Sequence, residues 1–229
     1  MSTELRLISS MATRQLLAEL LAQHRAEGGA SVLQESVGGV DAARRVLAGE
    51  AFDAVVLASA AIEQLIAAGR VVAGSRCDVA RSGIAIAVRE GTPRPDIGSE
   101  LAVRAAVLAA SSVGYSTGPS GTHLLHLFER WGIAAAVRER TVQAPPGVPV
   151  GSLVAEGRVA LGFQQLSELL NQPGISVVGP LPPQIQAETV FSAGLCSSST
   201  RPEATLGLLR FLASDATAAA KSRHGMAAA

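Results

Sequence analysis

Six loops that carry little formal charge hold most of the residues that could do chemistry in this chain. Each loop follows a predicted strand and is rich in serine, threonine, glycine, proline or glutamine. The candidate binding residues in these loops are Ser9, Ser10, Gly38, Gly39, Ser59, Ser120, Gly121, Thr122, Val148 and Gln164. Hydroxyl groups and free backbone N–H groups at helix starts can hold an anion without lysine or arginine. One serine before a helix is usually only a cap, but the six loops together predict a site for a small anion.

His123 is the candidate general base beside these loops. A helix is predicted over residues 122–131, which places His123 in its first turn, next to Ser120, Gly121 and Thr122. A helix amino terminus favours the neutral imidazole, which can accept a proton. The alternative is a partly exposed histidine that caps the helix or packs on the other lobe. Glu168 is a second candidate for acid–base chemistry, and is equally consistent with an acidic partner of a helix dipole.

Two further residues raise the question of charged and metal ligands. Arg14 could bind a carboxylate through two guanidinium nitrogens, or it could pair with Glu19. His126 shares a helix face with His123, but two histidines are too few for a specific zinc site, so no metal is predicted. The sequence contains no P-loop, dinucleotide-binding, nucleophile-elbow or HExxH motif, and no cofactor is predicted.

Strands and helices in alternation must position these residues. Apolar runs predict strands at residues 5–9, 31–33, 54–58, 83–89, 112–115, near 142, and at 160–163, 175–178 and 189–195. Amphipathic stretches predict helices at 12–24, 41–48, 60–68, 101–109, 122–131, 150–156, 167–170 and 202–213. This alternation is typical of an α/β protein with parallel strands. The number of strands favours two lobes, residues 1–81 with 190–229 and residues 82–189, with a cleft between them.

The composition supports a folded chain and argues against two classes of partner. Of the 229 residues, 48% are hydrophobic and 17% are charged, and the 19 basic residues balance the 19 acidic ones. A net charge of zero gives no attraction to nucleic acid or to an anionic membrane surface. Cys77 and Cys196 are predicted to be free thiols, and no apolar run is long enough to span a membrane. Without a recognisable signal peptide, the cytoplasm is the expected location, or the periplasm if a leader has been removed.

Four segments carry a resemblance to a known family. They are residues 7–10 (LISS), 43–60 (ARRVLAGEAFDAVVLASA), 119–133 (PSGTHLLHLFERWGI) and 150–165 (VGSLVAEGRVALGFQQ). In this order and spacing they resemble the molybdate-binding-protein-like branch of the type II solute-binding proteins of ABC transporters. The resemblance extends from about Leu5 to His224. It implies two Rossmann-like lobes, joined by two hinge strands, that close on a small ligand.

The resemblance also implies roles for individual residues. Ser10 matches a serine that contacts the oxyanion, and Gly38 or Gly39 stands where many relatives have serine or threonine. The matches in the other loops are Ser59 after the third strand, Ser120 and Gly121 at a helix start, and Val148 as a backbone donor. Molybdate binders resemble one another in a tyrosine after the strand that precedes Gln164, and this chain has glutamines there. That departure weakens molybdate and tungstate as ligands and leaves other oxyanions and carboxylates.

Two functions from different classes follow. The first is a solute-binding protein for a small oxyanion or organic carboxylate, with an ABC-transporter permease as partner if the protein is exported. The second is an isomerase or tautomerase of a small unsaturated carboxylic acid, because the same branch includes proteins similar to aconitate isomerase. In that case His123 is expected to move the proton. A protein-interaction module without a ligand is a weaker third alternative, since it does not require polar glycine loops at strand ends.

Overall fold

The computed structural model describes residues 4–229 as strands and helices in alternation. The strands are β1 (Leu5–Ser10), β2 (Val32–Val37), β3 (Ala54–Ala58), β4 (Cys77–Arg89), β5 (Val113–Tyr115), β6 (Thr141–Gln143), β7 (Leu161–Gln165), β8 (Ile175–Pro180) and β9 (Glu188–Leu195). The helices are α1 (Arg14–Ala26), α2 (Gly39–Leu47), α3 (Ser59–Ala67), α4 (Glu100–Ala109), α5 (Pro119–Arg130), α6 (Ala134–Val137), α7 (Val150–Ala155), α8 (Leu166–Leu169), α9 (Pro202–Ala213) and α10 (Ala218–Arg223). The predicted α/β class is confirmed.

The chain forms two compact units. The first unit comprises the described residues up to Ser82 together with Thr189–Ala229, and the second unit is Gly83–Glu188. The chain therefore leaves the first unit within β4 and returns to it near the start of β9. The predicted lobes place each crossing one residue away from this division, and residues 1–3 of the predicted first lobe lie outside the described residues.

In the first unit, β1 is the middle strand of three parallel strands. Ser9 of β1 lies opposite Ser36 of β2 on one side and opposite Val56 of β3 on the other. Strand β9 pairs with β3 in the antiparallel sense, so the order is β2-β1-β3-β9. Because the three parallel strands run in one direction, their carboxyl ends lie at one edge of the sheet, where the helices that follow them begin.

Helices cover both faces of this sheet, as the alternation of buried side chains shows. Leu5 and Leu7 of β1 pack in one core with leucines of α1 and α9, whereas Ile8 packs in a second core with residues of α2 and α3. Strand β3 divides in the same way, with Val56 in the first core and Val55 in the second. A strand that is buried on both faces has a continuous apolar sequence, which explains the run AVVLA at 54–58.

The second unit has its own set of three parallel strands. Val113 of β5 lies opposite Thr141 of β6 and opposite Leu161 of β7. Strand β7 pairs in the antiparallel sense with β4, and β4 pairs likewise with β8, so the order is β6-β5-β7-β4-β8. Phe128 of α5 and Phe163 of β7 are buried in the core that fills one face of this sheet. The carboxyl ends of β5, β6 and β7 therefore also share one edge.

Helix α5 begins earlier than the sequence predicts. It starts at Pro119, three residues before the predicted start, because proline is favoured in the first turn of a helix, where no N–H is needed. His123 consequently lies in the second turn of α5. The predicted helix at 202–213 is present as α9 and ends at Ala213, since Ser214 is in an extended conformation and its hydroxyl donates to Phe211 O at 2.8 Å. Helix α10 is a separate element.

Candidate functional site

The carboxyl-end edge of the first unit gathers the predicted residues from three parallel strands. Ser9 and Ser10 are the last residues of β1, Gly38 follows β2, and α3 begins at Ser59 directly after β3. Helices α2 and α3 start at this edge, and within residues 4–229 no side chain caps their first turns. Their first backbone N–H groups are therefore candidate donors to an anion.

Ser10 is the unusual residue of this edge. Its side chain is only 7% exposed, and its Oγ is a buried polar atom that has no hydrogen-bond partner within the described chain. A Cβ placed on Gly39 would lie 3.6 Å from Ser10 Cβ, so the side chain lies beside the first residue of α2. A buried hydroxyl without a partner costs about 1–3 kcal/mol, because it has lost its hydrogen bonds to water. Ser10 Oγ is thus available to a ligand.

The other hydroxyls of this edge are bonded within the unit. Ser9 Oγ lies 2.8 Å from Ser36 Oγ. Ser59 Oγ lies 2.9 Å from Val190 O and 2.8 Å from Ser192 Oγ, and Ser192 Oγ donates to Asp78 Oδ1 at 2.6 Å. The hydrogen of Ser59 is therefore used within the unit, which leaves its backbone N–H, at the first position of α3, as the group that could reach a ligand.

Asp78 and Ser192 are partners of the candidate site that sequence reasoning missed. The hydrogen bond from Ser192, followed by that from Arg76, lowers the pKa of the Asp78 carboxyl and keeps it ionised. The carboxylate holds Ser192, which in turn holds Ser59 at the start of α3. No spacing in the sequence indicates this chain of bonds, because Asp78 and Ser192 are 114 positions apart.

The carboxyl-end edge of the second unit contains a compact turn between β5 and α5. Ser116 Oγ accepts a hydrogen bond from Gly118 N at 3.2 Å and lies 3.0 Å from Ser120 Oγ. A Cβ on Gly121 would lie 1.8 Å from Ser116 O, so only glycine fits this position. Thr122 is exposed, and its Oγ1 lies 3.5 Å from Gly118 O. The turn is closed by its own polar groups.

The structure gives His123 a backbone partner. Its Nε2 lies 2.8 Å from Ile185 O, and since a carbonyl only accepts, Nε2 carries a hydrogen and donates it. Ile185 belongs to the same unit as His123, so this contact is not the predicted packing on the other lobe. It leaves Nδ1 as the ring nitrogen that carries no hydrogen in the neutral imidazole. His126 is exposed, and residues 4–229 contain no group of three or more His, Cys, Asp or Glu residues that could hold a metal ion.

Val148 and Gln164 are also engaged within the second unit. Val148 N donates to Pro145 O at 3.0 Å, which closes a turn before α7. Gln164 lies within β7 rather than in a loop, and it is only 2% exposed. Its Oε1 accepts hydrogen bonds from the first two N–H groups of α7, at 2.8 Å from Val150 and 3.4 Å from Gly151. Gln164 therefore caps α7 from the neighbouring strand.

The amide of Gln164 also binds Glu168. Its Nε2 donates to Glu168 Oε1 at 2.7 Å. Burial raises the pKa of Glu168 to about 7, and the hydrogen bond from Gln164 opposes this rise. The spacing of four residues between Gln164 and Glu168 was the available sequence signal for this pair. Arg14, by contrast, is exposed, and its predicted partner Glu19 is bonded instead to Arg223 and His224.

The sequence as a whole matches a known family. A model of the family described as bacterial extracellular solute-binding protein matches residues 5–227. The chain belongs to this family. The resemblance to type II solute-binding proteins is therefore confirmed, and the chain's two units are those of a solute-binding protein.

Three known proteins are similar to this solute-binding protein in sequence or in fold. An aconitate isomerase from a Pseudomonas species is 40% identical over 183 residues, which cover 80% of this chain and 70% of the isomerase. The periplasmic molybdate-binding protein of Azotobacter vinelandii is 19% identical, with a TM-score of 0.78 over 97% of this chain and 98% of its own. The sulfate-binding protein SubI of Mycobacterium tuberculosis is 16% identical, with a TM-score of 0.77 over 98% and 86%. At these identities the two solved structures show a shared fold.

Two remaining features of this solute-binding protein concern its thiols and its helices. Cys77 is half-buried, Cys196 is buried, and both are free. Burial raises the pKa of Cys77 and raises that of Cys196 to about 12, so neither thiol is activated as a nucleophile. Among the described residues, none of the helices has the length and apolar character that a membrane span requires.

Proposed function

We propose that this solute-binding protein binds a small oxyanion or organic carboxylate through uncharged donors at the carboxyl ends of its parallel strands. The observation that carries the proposal is Ser10 Oγ, a buried hydroxyl without a partner in the described chain, beside the first residue of α2. Burial of such a group is unfavourable unless a ligand bonds to it. The proposed ligand takes the place of that missing partner.

Uncharged groups are expected to supply the remaining contacts in the first unit. The backbone N–H groups at the starts of α2 and α3, among them those of Gly39 and Ser59, add partial positive charge at the same edge as Ser10. Arg14, four residues after Ser10, is exposed at the start of α1. An anion held by such donors is bound without a salt bridge, so its affinity is expected to change little with salt concentration.

In the second unit, the proposed contacts come from the turn at the start of α5. Ser120, at the second position of α5, has a backbone N–H that no earlier turn of the helix can bond. Gly121 allows this turn to approach Ser116, and Thr122 is exposed beside it. Val148 and Gln164 are bonded within the unit, so their predicted ligand contacts require either an exchange of partners or an indirect role through neighbouring groups.

An organic carboxylate is favoured over a tetrahedral oxyanion within this proposal. The relative at 40% identity is named for aconitate, whereas the proteins named for molybdate and sulfate are 19% and 16% identical. The glutamines at 164 and 165, where molybdate binders resemble one another in a tyrosine, point in the same direction. A carboxylate offers two oxygens in a plane, which backbone N–H groups and a hydroxyl can bind together.

A panel of anions tests the proposal. Thermal unfolding is measured with molybdate, tungstate, sulfate, phosphate, succinate, citrate and cis- and trans-aconitate. A ligand present at 100 times its Kd stabilises the folded protein by about 2.7 kcal/mol, which raises the Tm by several degrees. We expect a saturable rise with at least one carboxylate. A panel in which no anion raises the Tm in a saturable way would contradict the proposal.

A second candidate function is the isomerisation of a small unsaturated carboxylic acid by proton transfer. The observation that favours it is the aconitate isomerase relative, which shares 40% identity over 80% of this chain. The reaction needs a group that takes a proton from carbon and returns it to another carbon. Incubation with cis-aconitate in deuterated water, followed by proton NMR, distinguishes the two functions. Conversion of cis-aconitate to trans-aconitate supports the isomerase, and saturable binding without conversion supports the receptor.

A receptor that delivers its ligand to a transporter needs a partner protein. Proteins of the same fold include one named as the tungstate ABC transporter of Geobacter sulfurreducens, 16% identical with a TM-score of 0.72. An ABC-transporter permease is accordingly the partner we propose for an exported receptor, whereas an isomerase needs none. Ligand-dependent stimulation of a reconstituted transporter by this protein is the result expected for the receptor.

A further inference from the structure

Glu168 lies just after β7, at the carboxyl-end edge of the parallel strands of the second unit. It is the third residue of α8, which follows β7 without a loop. Strand β7 is parallel to β5, so α8 begins at the same edge as the turn that contains Ser116 and Ser120. The side chain of Glu168 remains partly exposed, unlike that of Gln164, which is buried. A group at this edge that is partly open to solvent is accessible to a ligand.

The orientation of the Glu168 carboxyl is fixed by the amide of Gln164. A backbone N–H can only donate, so the N–H groups of Val150 and Gly151 require an oxygen from Gln164. The NH₂ group of the same amide must then point the other way, where it donates to Glu168 Oε1 at 2.7 Å. One carboxyl oxygen is thereby held in place, and the second is free to exchange a proton.

The surroundings of Glu168 suit a group that both takes and gives a proton. Burial raises the pKa of the carboxyl from its ordinary value of 4.5 to about 7, and the only opposing cause is the uncharged amide of Gln164. No charged side chain of the described chain contributes to this shift, so it does not depend on an ion pair that salt could screen. A general acid–base group works best when its pKa is near the operating pH.

His123 is less suited to the same task. Its Nε2 hydrogen is committed to Ile185 O, and a proton taken up at Nδ1 would create a cation. The hydrogen bond from His123 to Ile185 O instead holds the segment that contains Ile185 against α5. Of the two candidate acid–base residues of the second unit, Glu168 is therefore the better suited to transfer a proton.

We propose that Glu168, oriented by Gln164, is the catalytic residue that transfers the proton in the isomerisation of a bound unsaturated carboxylate. The inference rests on the second candidate function. The Glu168 carboxylate removes a proton from the CH₂ carbon next to the double bond, and the electron pair of that C–H bond spreads over the allylic system and its carboxylate. The protonated Glu168 then returns the proton to the far carbon of that system, so the double bond shifts. No oxidant, metal or second substrate is needed.

The test compares two glutamate variants of the full chain. Conversion of cis-aconitate to trans-aconitate is followed by proton NMR for the wild type, Glu168→Gln and Glu129→Gln. Glu129 is an exposed carboxylate on α5 and serves as the matched control. We expect Glu168→Gln to lower the conversion rate at least about 100-fold and Glu129→Gln to leave it unchanged. Glutamine keeps an oxygen for the Gln164 amide, so the Tm rise with cis-aconitate should persist.

The outcomes separate this assignment from the function on which it rests. Conversion by Glu168→Gln within about twofold of the wild type overturns the assignment while leaving the isomerase in place. A wild type that binds cis-aconitate without converting it overturns both the isomerase and the role of Glu168, and leaves the receptor. The pH profile of the wild type gives a second measurement: its kcat/KM should rise with pH through about 7 as Glu168 ionises, and a flat profile from pH 5 to 8 contradicts the proposal.

Discussion

The two units place different chemistry at the carboxyl ends of their parallel strands. In the first unit, Ser10 Oγ is buried without a partner, and the starts of α2 and α3 lack side-chain caps among the described residues. In the second unit, the turn at Ser116 is closed by its own bonds, and Gln164 caps α7 while it holds Glu168. One edge leaves donors unused, and the other uses its polar groups to fix geometry.

This difference indicates that the polar groups of the first unit serve ligand affinity, whereas those of the second unit hold side chains in position. An unused buried donor makes the free protein less stable and is compensated only when a ligand is bound. A polar network that is satisfied stabilises the free protein and holds one side chain in a defined orientation. Substitutions that distort the turn at Ser116 should therefore lower stability, whereas substitution of Ser10 should lower affinity without a loss of stability.

The largest effect on stability is expected for Gly121→Ala. The new Cβ would lie 1.8 Å from Ser116 O and 2.9 Å from Tyr115 Cδ2, so the start of α5 must move. The free energy of unfolding, measured with urea, should fall by about 3 kcal/mol. The control is Gly118→Ala in the same turn, where the Cβ would lie 3.6 Å from Ser116 Oγ and the loss should stay below about 1 kcal/mol. Equal losses for both variants would show that the turn is not tightly closed.

Glu168→Gln should change the pH dependence of stability. In the folded protein the pKa of Glu168 is raised to about 7, whereas in the unfolded chain it returns to its ordinary value near 4.5. The folded state therefore binds the proton more tightly between these values, and the stability that Glu168 contributes is lost as the pH rises from about 4.5 to 7. On going from pH 5 to pH 8, the free energy of unfolding of the variant should rise by about 2 kcal/mol relative to that of the wild type.

Urea unfolding of both proteins at the two pH values measures this gain. Other carboxyls with shifted pKa values, such as Glu35 and Asp78, are shifted downward, so they stay ionised across this range and cancel in the comparison. If the difference in the free energy of unfolding between variant and wild type does not change with pH, the carboxyl of Glu168 is ionised throughout this range.

The smallest effect on the free energy of unfolding is expected for Ser9→Ala. This variant tests the difference, within the first unit, between the bonded hydroxyl of Ser9 and the unpaired hydroxyl of Ser10. Ser9 Oγ is bonded to Ser36 Oγ at 2.8 Å, so its removal leaves Ser36 with one partner fewer. The free energy of unfolding should fall by about 1 kcal/mol, as is usual for one hydrogen bond. Unchanged stability would indicate that the bond between the two serines contributes nothing to the folded state.

Local sequence patterns were sufficient to predict much of the fold. The run AVVLA at 54–58 correctly predicts strand β3, and the helix predicted from Pro202 is present as α9. Ser10 was singled out because it follows the first apolar run, and the structure adds that its hydroxyl is unpaired. These predictions depend on features that lie within a few residues of each other.

Side-chain partners that are distant in sequence could not be predicted in the same way. Ser59 bonds to Val190 O and Ser192 Oγ on β9, more than 130 positions away. Gln164 was expected in a loop and instead caps α7 from β7, because the register of β7 brings its amide to Val150 N. Sequence spacing indicates which residues follow a strand but not which of their polar atoms are already used.

The most direct test of the account is the effect of Ser10→Ala on stability and affinity together. Urea unfolding and calorimetric titration with cis-aconitate are carried out on the wild type, Ser10→Ala and the control Ser9→Ala. Because Ser10 Oγ has no partner in the free protein, the variant should be as stable as the wild type, or up to about 1 kcal/mol more stable, while its Kd rises at least about tenfold. A Ser10→Ala variant that loses stability as Ser9→Ala does and binds with unchanged Kd would contradict the account.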